Sequence, residues 1–90
     1  MIIHRNVRVG GKVQGVFYRA STADKAKELG LNGFVFNEPA GSVYIEVEGE
    51  PRVVEEMIEW ARKGPPRANV TSLDVTEGAV VNFISFEIRR

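Results

Sequence analysis

Hydrophobic and polar positions fall into short strand-like runs interrupted by two helical ones, which predicts five strands and two helices. Ile2–Val9 alternates imperfectly, with Ile3, Val7 and Val9 on one face, His4, Asn6 and Arg8 on the other, and Arg5 breaking the inward row. From Arg19 to Leu29 the period becomes helical. Ala23, Ala26 and Leu29 make a stripe of mostly small side chains that can lie close on a sheet, and Gly30 stops it. Gly33–Asn37 carries Phe34, Val35 and Phe36, apolar on both faces, and reads as a covered strand. Ser42–Glu48 alternates cleanly, with Val43, Ile45 and Val47 inward and Tyr44, Glu46 and Glu48 outward. The turn residues Glu38-Pro39-Ala40-Gly41 lie between these runs, so the two predict a hairpin.

Pro51–Lys63 is the clearest helix. Proline opens it, Gly64 follows it and Pro65-Pro66 forbids its continuation. Val54, Met57, Ile58 and Ala61 form its apolar stripe, with Glu55 and Glu56 toward the start and Arg62 and Lys63 at the end, complementing the helix dipole. Asn69–Val75 reads as a strand of weaker alternation compatible with a bulge. After a turn near Glu77-Gly78, Ile84, Phe86 and Ile88 alternate with Ser85, Glu87 and Arg89 as a last strand. Two helices that each follow a strand, with a hairpin between them, fit the split β-α-β plan. The expected fold is therefore α+β: a ferredoxin-like α/β sandwich of order β-α-β-β-α-β plus a short C-terminal strand, with both helices on one face of an antiparallel sheet. That plan carries unrelated functions and decides nothing about chemistry.

Composition narrows the field. Ninety residues, 43% of them apolar, predict one domain spanning residues 1–90. Twelve basic and twelve acidic side chains cancel, without the basic bias of a nucleic-acid binder. The absence of cysteine excludes disulfides, thiolate nucleophiles and zinc–thiolate sites. With no long apolar run and no signal pattern at Met1–Arg5, the expectation is a cytoplasmic protein without a membrane segment. Nothing apolar is left over to demand a dimer interface, so a monomer is expected.

The candidate chemistry gathers in Gly10–Arg19, which reads G-G-K-V-Q-G-V-F-Y-R, with three glycines, no proline and no acid. Its arginine falls where a helix begins, and a cation there is disfavoured by roughly 0.3–1 kcal/mol unless an anion intervenes. Taken singly, Arg19 fits an exposed arginine, Asn37 a turn-initiating asparagine and the glycines ordinary turn residues. Asp24 and Glu28, interleaved with Lys25 and Lys27, read as a solvated face and not a metal site. Ser21 and Thr22 lack an activating base, Trp60 reads as a packing residue, and the only histidine, His4, is far from this stretch in sequence.

Gly11–Arg19, G-K-V-Q-G-V-F-Y-R, resembles the acylphosphatase signature G-x-V-Q-G-V-x-F-R, with Tyr18 in place of the usual phenylalanine. Gly33-Phe34-Val35-Phe36-Asn37, then Gly41-Ser42-Val43 and Gly49, match the family's second signature in order and spacing, and Gly64-Pro65-Pro66 also resembles the family. The resemblance covers nearly the whole chain. It departs at Phe36, usually basic or polar, and in the Glu38-Pro39-Ala40 turn. Phe36 points away from Asn37 in a regular strand, so the expectation is altered surface packing or substrate rim with intact chemistry.

The resemblance implies hydrolysis of the carboxyl-phosphate anhydride of acyl phosphates to carboxylate and inorganic phosphate, with Arg19 and Asn37 as the catalytic pair. A backbone cradle of Gly15, Val16, Phe17, Tyr18 and Arg19 would hold the phosphoryl oxygens at the helix start. The Arg19 fork would bind two of them, and Asn37 would hold an attacking water. Gln14 reads equally as a loop brace or a substrate contact, and Thr22 as a hydroxyl supporting the phosphate site. No cofactor or metal is expected, because the departing carboxylate, of conjugate-acid pKa about 4, needs no general acid. The only partners implied are the small acyl phosphate and inorganic phosphate, as product and competitive inhibitor. Two rivals remain. One is a single-stranded RNA module, faintly suggested by G-F-V-F; the other is a ferredoxin-like regulatory domain that binds phosphate without turning it over.

Overall fold

The computed structural model describes residues 1–90. Its elements run β1 (Ile3–Lys12), α1 (Tyr18–Glu28), β2 (Asn32–Asn37), β3 (Val43–Gly49), α2 (Pro51–Lys63), β4 (Asn69–Gly78) and β5 (Phe86–Ile88). The sheet order is β4-β1-β3-β2-β5. β1 pairs antiparallel with β3 and β4, and β2 antiparallel with β3. The short last strand joins the β2 edge in parallel, Gly33 opposite Phe86 and Val35 opposite Ile88, so the sheet is mostly but not wholly antiparallel.

The core lies between one sheet face and the two helices. Val7 and Val9 of β1, Val35 of β2 and Val43, Ile45 and Val47 of β3 are all buried there, as the alternation predicts. Val54, Met57, Ile58 and Ala61 of α2 meet them, as do Ala23 and Ala26 of α1, whose small side chains let that helix lie close. Each fully buried valine or isoleucine stabilises the fold by about 1.5–3 kcal/mol.

Four expectations change. β1 does not stop at Val9 but runs to Lys12, so Gly10 and Gly11 belong to the sheet, at a bulge against β4. Gly11 has φ +115, and a Cβ there would meet the Asn69 carbonyl oxygen at 2.3 Å, so only glycine fits. β4 likewise runs on through Glu77 and Gly78, which are strand and not turn. Ile84, expected on the inward face of the last strand, is 95% exposed, because β5 begins only at Phe86. Finally, alternation puts His4 opposite the inward row and Glu48 outward, yet they are only 2% and 4% exposed.

The cause is the segment between β4 and β5. The Glu48 carboxylate accepts the backbone N–H groups of Val81, Asn82 and Phe83, which binds that segment over the open sheet face. His4 Nδ1 lies 2.7 Å from Glu48, and its Nε2 lies 2.9 Å from Glu46 and 3.0 Å from the Asn6 side-chain oxygen. Every neighbour of the ring nitrogens is an acceptor, since Asn6 turns its amide nitrogen to Thr76. These surroundings favour the doubly protonated imidazole. Arg5, the break in the inward row, turns its guanidinium back to the His4 carbonyl at 2.9 Å.

Candidate active site

The connection from β1 to α1 is pinned at two points, because Val13 and Val16 are both buried in the core. Between and beyond them the backbone is irregular. Gly15 has φ 74 and Phe17 φ 65, with Val16 between them on the negative side. Alternating handedness of this kind turns successive N–H groups toward a common concavity, which is an anion-binding arrangement. The amides from Gly15 to Ala20 donate to no backbone carbonyl; the first bond of the helix runs from Ser21 to Phe17. α1 has no acidic residue in its first turn, so the positive end of its dipole adds to the same concavity. Arg19 sits there half-buried and joins none of the molecule's ion pairs.

Asn37 ends β2 on the helix-facing side of the sheet, two residues after the buried Val35. Its Oδ1 is the one buried side-chain oxygen or nitrogen in the molecule without a hydrogen-bond partner. A cavity of about 360 Å³ brings the two signatures together, with Gly15, Phe17, Arg19 and Ala20 on one side and Asn37 on the other.

The geometry of the β2–β3 turn is fixed by side chains around it. Gln14 donates from one amide nitrogen to the carbonyls of Glu38 (2.8 Å) and Ser42 (2.9 Å), tying the glycine loop to the turn that follows Asn37. Of the two readings of Gln14, these contacts are those of a loop brace. Glu38, part of the unusual turn, receives a two-pronged contact from Arg8 at 2.7 and 2.9 Å and the Ser42 hydroxyl at 2.6 Å. The Arg8 guanidinium, and then Ser42, pull its carboxyl down to about 2. Glu38-Pro39-Ala40 is thus a braced turn. Phe36 points to the other face, among Phe34 and Tyr44.

Tyr18, the departure from the first signature, has a local account. Its ring is buried, and its hydroxyl donates to the Ala61 carbonyl in the last turn of α2 at 2.6 Å. Desolvation of the phenol raises its pKa. Gly64, at φ 68, leaves room for that ring, because a Cβ there would stand 2.5 Å from it.

One site expectation needs correction. Thr22 does not reach the cavity; it is fully buried and its hydroxyl donates to the Tyr18 carbonyl at 2.7 Å, as small hydroxyls inside helices do. The Val16 side chain lies in the core, so only its backbone can face the concavity, which is the part assigned to it. Conversely, Ile88 and Arg90 line the cavity and were not singled out from the sequence. Ile88 pairs with Val35, and the same parallel course brings Arg90 toward Asn37. Only the pairing of β5 with β2 reveals this, and a strand of three residues carries no pattern that announces its neighbour.

No helix is long and apolar enough to cross a membrane. The acylphosphatase family model matches residues 5–88. An acylphosphatase of Methylococcus capsulatus is 51% identical over 86 residues, covering 94% of each chain. The structure of an acylphosphatase from Coxiella burnetii matches with a TM-score of 0.94 at 39% identity, over 98% of this chain and 93% of that one. The acylphosphatase from Bacillus subtilis matches with a TM-score of 0.95 at 31% identity, over 100% of both chains. With the two signatures folded onto one cavity, and with these matches along nearly the whole length, the chain belongs to the acylphosphatase family and is an enzyme that hydrolyses acyl phosphates.

Proposed function

We propose that hydrolysis proceeds by direct in-line attack of a water held by Asn37 on a phosphoryl group bound by Arg19 and the Gly15–Arg19 backbone. The observation that carries this reading is Asn37, a residue of the cavity wall whose buried Oδ1 has no hydrogen-bond partner. A buried oxygen left without a donor costs about 1–3 kcal/mol, so it marks a place where a donor is wanted. A water bridging to that oxygen turns its own lone pair outward. Across the cavity, the free amides at the start of α1 and the Arg19 fork suit the phosphoryl oxygens and the charge that builds on them.

The bond changes are simple. The water oxygen forms a bond to phosphorus, the bond from phosphorus to the acyl oxygen breaks, and its electron pair leaves with the carboxylate. The proton of the water passes to a phosphoryl oxygen. Because the leaving group is a weak base of conjugate-acid pKa about 4, positioning and charge stabilisation suffice. Inorganic phosphate, as product, binds the same cradle and inhibits competitively. The working unit in this proposal is a single-domain monomer in the cytoplasm; light scattering tests the first part.

Turnover of benzoyl phosphate in ¹⁸O-water tests the reaction path. The label is expected in inorganic phosphate and not in benzoate; label in benzoate would mean attack at the carbonyl carbon and overturn the assignment. Arg19→Gln is expected to lower kcat/KM by at least about a thousandfold, since it removes a bidentate charged contact.

A further inference from the structure

Phe17 combines two features that the fold does not need. Its backbone lies at φ 65 and ψ 23, the left-handed region that favours glycine or asparagine. Its ring is 71% exposed, although its neighbours Val16 and Tyr18 are buried. The only other residue with a side chain at positive φ is Asn82, of a type suited to that conformation. A strained backbone and an exposed ring at one position point to a role outside packing. The ring borders the cavity.

The lining of that cavity is chemically mixed. Arg19, Asn37 and the loop amides are the polar groups already described. Phe17, Ala20 and Ile88 add apolar surface to the same wall, and Ile88 is itself 46% exposed. A volume of about 360 Å³ is that of a small-molecule site and exceeds what a phosphoryl group fills.

We propose that Phe17 and Ile88 form an acyl-group subsite, which makes this enzyme selective for acyl phosphates with an aromatic or bulky apolar acyl group. The inference rests on the site reading given above. In-line displacement puts the acyl group on the side of phosphorus opposite the attacking water, so the substituent beyond the carboxyl must pass a cavity wall. A flat or branched apolar substituent gains area against the Phe17 ring and the Ile88 side chain. A methyl group gains little. Such contact is felt equally by bound substrate and transition state, so it acts mainly on KM.

The test compares kcat/KM for benzoyl, acetyl and succinyl phosphate, which release carboxylates of similar basicity. The wild type is expected to prefer benzoyl over acetyl phosphate by roughly tenfold or more, the scale of a modest apolar contact. Phe17→Asn, which suits the left-handed backbone, is expected to shrink that ratio about fivefold, with the loss in KM. Ile88→Thr is expected to shrink it about twofold, and Phe17→Tyr to keep it. A benzoyl-to-acetyl ratio near one in the wild type overturns the inference. So does a ratio unchanged by Phe17→Asn or lost in Phe17→Tyr, or a preference for succinyl phosphate, which would give the acyl side to Arg90. Arg19→Gln run alongside separates the two levels: if it still turns over all three substrates, the site reading fails and this inference with it. A flat ratio together with an inactive Arg19→Gln overturns the inference alone.

Discussion

Glu48 and Asn37 are polar groups on neighbouring strands of one hairpin, and they are treated oppositely. Glu48, on the open face, is taken out of solvent with its carboxylate surrounded by His4 and the amides of Val81, Asn82 and Phe83. Asn37, on the helix face, ends in a buried oxygen with no donor at all. Satisfying a buried polar group stabilises a fold, whereas leaving one open costs stability. The first region therefore serves architecture by closing the segment that delivers β5. The second, in the mechanism proposed here, keeps an acceptor free for the reaction.

The contrast breaks most sharply at Glu48. Replacing it with alanine strips three amides and His4 of their acceptor, and is expected to cost about 3–5 kcal/mol of stability, as loss of one partner of a buried pair does. Urea unfolding measures it, and a loss below about 1 kcal/mol would remove Glu48 as the anchor of the segment.

A smaller effect tests the brace between the regions. Gln14→Ala deletes both contacts to the β2–β3 turn, and kcat is expected to fall on the order of tenfold as Asn37 loses its register with the loop. Unchanged kcat with unchanged KM would make the brace irrelevant to chemistry.

Tyr18→Phe, smaller again, deletes the bond to Ala61 and is expected to cost about 0.5–1.5 kcal/mol in the same unfolding assay. A stability equal to the wild type would leave the hydroxyl without a structural role.

The mildest expected effect is on pH. Burial alone lowers the His4 pKa, but hydrogen bonds to Glu48 and Asn6 and the charges of Glu46 and Glu48 outweigh it, so the net shift is upward. The stabilisation His4 supplies is then complete below its unfolded pKa of about 6.5 and is lost as pH rises through its higher folded value. Glu48 runs the other way: burial raises its pKa, His4 and the Val81 and Phe83 amides lower it, and the net shift is downward. Its contribution is present above about 4.3 and is lost as pH falls through the folded value. Thermal midpoints are thus expected to decline on both sides of this window, and His4→Gln to flatten the alkaline limb. A decline of the same size in that variant would assign it elsewhere.

What the sequence made legible follows from the range of each signal. The hairpin and α2 are visible because Val43, Ile45, Val47 and Val54, Met57, Ile58, Ala61 keep the period of their elements over several turns or pleats. The Arg19–Asn37 pair is visible because two motifs fix it, and the fold brings both to one cavity. His4 and Glu48 are misread because alternation separates two sheet faces but cannot say that a later segment covers one of them. Ile88 and Arg90 escape for the same reason: their place depends on β5, whose own position depends on what Glu48 holds. Thr22 shows a further limit. Its nearness in sequence to the helix start suggested a ligand contact, but helix geometry turns it inward.

The central claim is that Asn37 is left open for chemistry and not for the fold, and the kcat of Asn37→Ala measures it most directly. With benzoyl phosphate the account predicts a fall of about a hundredfold to a thousandfold, as for loss of a preorganised hydrogen-bonding group, in a protein at least as stable as the wild type. A variant that keeps kcat within about twofold of the wild type would contradict it.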